Sequence, residues 1–148
     1  VSNHLESNHI TAEDKELYKT FVVEPTRQTL GVVADNIQGK LDFAFKTREQ
    51  QVNLIYEYIE RQLEESERMI VCGDFNDTPI SYTYGKFKKH FTDSYLETGR
   101  GVGITYHENN FWFRIDYILH TGNIDSYMST VDHVKYSDHY PLYTYLRL

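Results

Sequence analysis

Apolar residues recur at helical spacing through the middle of the chain, with Val52, Ile55, Ile59 and Leu63 on one face and Glu57, Glu60, Arg61 and Glu64 on the other. Positions three and four apart share a face, so the pattern predicts a long amphipathic helix from about Asp42 to Glu65. Upstream, Thr11 and Asp14 frame a capped helix start, and Glu13 and Asp14 suit the positive end of the helix dipole. Glu24-Pro25 closes that helix after Val23. Downstream the pattern changes. Met69 to Cys72 is an unbroken apolar run too short for a helix, which predicts a strand buried on both faces. Asn76 to Pro79 then reads as a loop, with Thr78-Pro79 opening a short helix through Tyr82 and Phe87. Gly103 to His107, Phe113 to His120 and Tyr140 to Leu148 read as strands. Helices come early and strands late. No repeat, low-complexity tract or linker divides residues 1–148.

Length and charge narrow the function classes. A chain of 148 residues, 40% hydrophobic, buries roughly two-thirds of its unfolded surface, enough for one domain. The formal charge of -7 argues against a protein held to nucleic acid by a broad basic face. Carboxylates that bind a divalent cation would add to that acidic count while attracting phosphate once loaded. Cys72 is the single cysteine, which excludes an intrachain disulfide and leaves the compartment open. No apolar run approaches the roughly 18 residues of a spanning helix, and no leader is visible, so a soluble chain is expected. Val1 to Leu5 reads like the exit of a strand without its beginning, the pattern of a fragment.

The chemistry concentrates in three strings. Gly73-Asp74-Phe75-Asn76 follows directly on the apolar run, at the strand end where open α/β sheets carry their sites. In extended backbone Asp74 and Asn76 point one way and Phe75 the other, and Gly73 permits a close approach. A plain Asp/Asn turn accounts for the tetrapeptide equally well. Asp116 interrupts the apolar strand Phe113 to Leu119 and requires a partner there. Arg114, two residues away on the same face, is one candidate; His139 is the other. Ser137-Asp138-His139 supplies that imidazole, which a carboxylate can hold in one tautomer, and Asp138 is expected to point toward a metal. His4 exits the first apparent strand as Asp74 exits the second, against the simpler reading of a solvated loop histidine. The oxygen ligands suit Mg²⁺, and the clusters expected for zinc are absent. Phe111-Trp112-Phe113 and the tyrosines fit core packing better than base stacking, and Lys86, Lys88 and Lys89 fit a solvated face. The Asn76-Asp77-Thr78 sequon is of a kind that arises by chance.

These ordered strings, from His4-Leu5 through Gly73 to Asn76 and Arg114 to Ile118 to Ser137-Asp138-His139, resemble the endonuclease/exonuclease/phosphatase superfamily, which includes pancreatic deoxyribonuclease. The resemblance implies an α/β fold, part of a four-layer α/β/β/α sandwich with mixed sheets. It implies that Asp74 orients or deprotonates the attacking water and Asn76 hydrogen-bonds the scissile phosphate. Asp138 would bind Mg²⁺ or Mn²⁺, His139 braced by Asp116 would face the phosphate, and His4 would donate to a phosphoryl oxygen. A strand-end asparagine and a metal-binding glutamate of the family's first half have no counterpart here. Residues 1–148 are therefore expected to be the C-terminal part of the domain, with the N-terminal part absent.

The expected activity is Mg²⁺-dependent hydrolysis of a phosphoric ester, a phosphodiester by preference, with the 148 residues alone inactive. A non-catalytic binding or structural module that keeps the fold is the alternative. The expected partner is a phosphoester substrate, whether nucleic acid, phospholipid or small molecule, with no obligate protein partner. Membrane anchoring would come only through an upstream segment.

Overall fold

A stripe of small and apolar residues on one long helix organises the molecule. The computed structural model describes residues 1–8, 11, 13, 14, 16, 27–108 and 111–148. Helix α1, Arg27–Glu65, buries Ala44, Arg48, Val52, Tyr56 and Ile59 along one side, while Glu57, Glu60, Arg61 and Glu64 stay wet. It begins well before the expected Asp42. Gly31 and Gly39 dilute the apolar period there, so the early turns carry little sequence signature. Among the described residues no helix is long and apolar enough to cross a membrane.

Three strands come next to that stripe. Strand β1, Ser2–His4, lies parallel to β2, Ile70–Asp74, and β2 runs antiparallel to β4, Asp116–His120. The short β3, Thr92–Asp93, completes a mixed sheet in the order β1-β2-β4-β3. Val71, Phe75, Tyr117 and Leu119 form the packed face, joined by Leu5, Val52, Ile59, Met69, Phe87 and Phe91 in one core. The opposite face is only half covered at Ile70, Cys72 and Asp74, so β2 is fully buried on one face rather than two. Strands β5, Asp125–Val131, and β6, Leu142–Arg147, make a separate antiparallel pair.

Several elements depart from the sequence pattern. Helix α2, Tyr82–Phe87, starts after Ser81, whose hydroxyl accepts from the Tyr84 amide at 3.1 Å, and not at Thr78-Pro79. A five-residue helix α3, Ser94–Thr98, is capped by the Asp93 carboxylate. Gly103 to His107 is no strand; only Tyr106 bridges, to Phe113 and to His139. Positive φ at Gly101 and Gly103 bends that segment away from a ladder. Thr11 and Asp14 do form the reciprocal cap, with the Thr11 hydroxyl donating to Asp14 at 2.7 Å and accepting from its amide at 3.3 Å. The rest of that expected helix, apart from Glu13 and Glu16, lies outside the described residues.

Candidate active site

The exits of β1 and β2 and the entry of the antiparallel β4 meet at one end of the mixed sheet. Register places His4 beside Asp74 and Asp74 directly opposite Asp116, so three polar side chains share a face by pairing alone. The close approach depends on Gly73, at φ 141°: a Cβ there would lie 1.8 Å from the Asn3 carbonyl oxygen. The space that Gly73 leaves open is filled by backbone from β1.

Asn76 does not continue the extended chain. Its φ of 49° turns the backbone back so that its amide donates to Asp74 Oδ1 at 2.7 Å. Its carboxamide donates to Asp74 Oδ2 at 3.0 Å and to the Leu5 carbonyl at 2.9 Å. The turn reading holds for this string, and the Asx turn brings the two polar side chains together. Both carboxamide hydrogens of Asn76 are engaged, one on the Leu5 carbonyl and one on Asp74, whose carboxylate the backbone amide also braces.

His139 arrives from the loop before β6. Its Nδ1–H donates to Asp116 Oδ2 at 2.8 Å, which leaves Nε2 for another partner. Arg114 does not compete for Asp116; its guanidinium is buried on Asp93 at 2.8 Å. One atom each from Asp74, Asp116 and His139 lie within 4.8 Å of one another. His4 Nε2 stands 3.5 Å from Asp74 Oδ2, with its ring 74% exposed. Asp138 is exposed and accepts from the Ser137 hydroxyl at 3.0 Å, outside the three-residue group. A cleft of about 500 Å³ opens beside the group, bordered by Cys72, Asp116, Ile118, Tyr136, His139 and Leu142.

Like charges facing each other across a ladder shift the local acidities. Burial, and then the Asp116 charge, raise the Asp74 carboxyl above its ordinary value against the Asn76 amide that lowers it. The hydrogen bond to Asp116 raises the His139 imidazole, against a lowering by burial, with Asp74 and Asp138 adding to the rise. The two opposed carboxylates offer oxygen donors that suit a hard divalent cation. Of the positive groups beside them, His139 is taken by Asp116 and His4 is exposed, so a cation would complete the charge balance.

Arg48 is the residue that periodicity alone does not reveal. It is buried on the apolar stripe of α1, donates from Nε and Nη2 to the Glu6 carbonyl at 3.0 and 2.9 Å, and reaches Asp77 at 3.4 Å. It thereby ties the segments that follow His4 and Asn76 to the helix. An arginine at the i+4 step between Ala44 and Val52 is the trace it leaves in the sequence. Of the remaining described histidines, His107 and His133 stack on Tyr140, next to His139, and His90 and His120 pack elsewhere. His120 is buried between the Thr121 carbonyl and Glu97, and His90 lies against Tyr56. His9 lies outside the described residues.

The family model described as Endonuclease/Exonuclease/phosphatase family matches residues 15–139, most of the chain. The chain belongs to this family. Endonuclease/exonuclease/phosphatase proteins are generally metal-dependent hydrolases of phosphoesters. The chain is similar to a solved endonuclease/exonuclease/phosphatase from Bacteroides vulgatus, with 27% identity and a TM-score of 0.60 over 70% of this chain and 44% of that one. A mannosyl-6-phosphatase from Bacteroides thetaiotaomicron shares the fold at 20% identity and a TM-score of 0.55, over 70% and 46%. A functionally unknown conserved protein from Enterococcus faecalis does so at 24% and 0.53, over 69% and 44%. The chain spans less than half the length of each of these structures. No protein of curated function matches the chain. The expected mixed α/β fold with a mixed sheet is therefore what the chain has.

Proposed function

We propose that the whole protein hydrolyses a phosphoric ester, a phosphodiester by preference, by in-line attack of water with Mg²⁺ or Mn²⁺ as cofactor. The observation that carries this reading is the convergence of Asp74, Asp116 and His139, from three separate segments, within 4.8 Å. Asp74, held on both oxygens by Asn76, would orient and deprotonate the water. His139, kept by Asp116 in the tautomer that protonates Nδ1, would present Nε2–H to the phosphoryl group when charged. The hydrogen bond to Asp116 raises its pKa and so favours that charged form. Asn76 would turn an amide hydrogen from Asp74 to the phosphate, and His4 would donate to another oxygen. The cation would be held with Asp138, beside the Asp74 and Asp116 carboxylates, and would supply polarisation of the phosphoryl oxygens.

The acidic balance of the chain favours a small or lipid phosphoester over long duplex DNA. The mannosyl-6-phosphatase neighbour adds sugar phosphates to the substrates worth testing. The 148 residues alone are expected to turn over little or nothing, since the family's metal-binding glutamate has no counterpart among them. The deciding experiment follows hydrolysis of bis-(p-nitrophenyl) phosphate, p-nitrophenyl phosphate and mannose 6-phosphate by the full-length protein, with and without Mg²⁺, beside Asp74→Ala. Metal-dependent turnover that disappears in Asp74→Ala supports the hydrolase. Equal background rates in both proteins would leave a module that keeps the fold without chemistry.

A further inference from the structure

Asp116 opens β4 in the mixed sheet, whereas His139 lies in the loop before β6, and no ladder pairs β4 with β6. Their 2.8 Å hydrogen bond therefore needs a third segment to set the distance. The segment Thr105 to His107 touches both sides. Thr105 has no exposed surface, and its hydroxyl oxygen accepts from the amides of Ile115 and Asp116, each at 3.1 Å. Its carbonyl accepts from the Tyr140 amide at 2.6 Å, and its own amide donates to the Phe113 carbonyl at 2.9 Å. His107 adds a bond from its amide to the Asp138 carbonyl at 3.1 Å. The Tyr106 ring meets the His139 ring edge-on with centroids 5.2 Å apart. Tyr140, next to His139, is stacked between His107 at 3.8 Å and His133 at 4.7 Å.

We propose that Thr105 is the positioning residue that joins Asp116 to His139. A hydroxyl with two lone pairs can accept two amides, and here both come from the start of β4, where Asp116 sits. The same residue's carbonyl fixes the backbone immediately after His139. Thr105 thus makes one rigid piece of two carbon-chain segments that meet nowhere else in a ladder. It touches neither reacting atom nor substrate, and it acts through the dyad. Its kinetic consequence rests on the hydrolase reading above; its structural consequence does not.

The test compares Thr105→Val, Thr105→Ser and Thr105→Cys in the ¹⁵N-labelled chain. The readout is the low-field Nδ1–H resonance of His139 and the ¹⁵N pattern of its tautomer. Thr105→Val keeps the shape but leaves two buried amides unpaired, and the low-field resonance is expected to be lost. Thr105→Ser keeps the acceptor and is expected to keep the resonance. A folded Thr105→Val that retains the resonance overturns the proposal. Should Thr105→Val not fold, Ser and Cys decide, being similar in size while the thiol is a weak acceptor: equal resonances in the two overturn it. In the full-length protein, Thr105→Val or Thr105→Cys should lower kcat about 10–100-fold with KM unchanged, and Thr105→Ser should restore it. A full-length protein without any turnover would sink the hydrolase reading and leave the spectroscopic result standing.

Discussion

Asp74→Asn should change the stability of the ion-free chain in opposite directions at low and high pH. The ligand atoms of Asp74, Asp116 and His139 lie within 4.8 Å of one another. Two unit charges that far apart interact by about 3.5 kcal/mol at an effective dielectric of about 20. Asp74 and Asp116 keep 16% and 23% of their side-chain surface exposed, so water reduces this to about 2 kcal/mol. While His139 is charged, its attraction for Asp74 offsets the repulsion from Asp116. Once His139 is neutral, the repulsion stands alone. The asparagine removes that repulsion, but it can no longer accept from both the amide and the carboxamide of Asn76, a loss of about 1 kcal/mol.

The signs follow from the directions of the two shifts. Asp74 and His139 both titrate higher in the folded chain than when unfolded. Each therefore contributes stability that is complete below its unfolded value and is lost as pH rises through its folded value. Wild type should weaken from the carboxylate range upward and again above the ordinary imidazole range. Asp74→Asn escapes the first loss and diminishes the second. It should be less stable than wild type by about 1 kcal/mol at acid pH, where Asp74 is itself protonated. Above the His139 transition it should be more stable by about 1 kcal/mol, the difference of the two figures. Thermal melts in EDTA read this as a reversal of about 2–4 °C in each direction. A difference that does not vary with pH, or one that stays destabilising in alkali, would refute the opposition of Asp74 and Asp116.

Two further outcomes test other joints of the site. Asp116→Asn removes the largest cause of the raised His139 pKa, so the ring should titrate lower by NMR, and the full-length protein should lose about 10²–10⁴-fold in kcat. Gly73→Ala would put a Cβ on the Asn3 carbonyl at a φ of 141°, separating β1 from β2. It should destabilise the chain by about 3 kcal/mol or more in urea unfolding and loosen His4 from Asp74; a melt like wild type would show that β1 can shift without cost.

The elements that could be read in advance are those whose packed face is apolar. In α1 the buried stripe begins where Ala44, Val52 and Ile59 repeat, and the sequence pattern finds the helix from there on. The strand β5 escaped because its buried positions are Ser126 and Ser129, and because Met128, at φ 53°, shifts the register between Tyr127 and Thr130. Neither an apolar period nor a clean alternation survives that combination. Gly103 to His107 fails for the opposite reason. Its β-prone residues are used as side-chain and backbone anchors to two neighbours instead of as rungs. In the candidate site, the strand ends at His4, Asp74 and Asp116 were legible because a polar residue bounding an apolar run is a local signal, whereas the register that sets them side by side is not. Asp138 lies outside the three-residue group, where its carboxylate accepts from the Ser137 hydroxyl, a contact that strand patterning does not foretell.

The pairing of Asp74 with Asp116 is itself an argument about purpose. Any neutral β-former at either position would fill the same ladder without repulsion, so packing gives no reason for two carboxylates there. The nearby cationic groups do not cancel them: His139 is committed to Asp116, His4 is mostly in water, and Arg114 and Arg48 are turned to Asp93 and to Glu6 and Asp77. What remains is a concentrated negative charge beside a histidine whose protonation that same charge promotes. Such a site repels an unaccompanied phosphate and attracts a cation or a proton first. The two halves of the proposed chemistry are therefore coupled in these residues. The group that would activate water stays charged most easily when a cation is near, and the group that would face the phosphate is held toward its charged form first by Asp116 and then by that carboxylate.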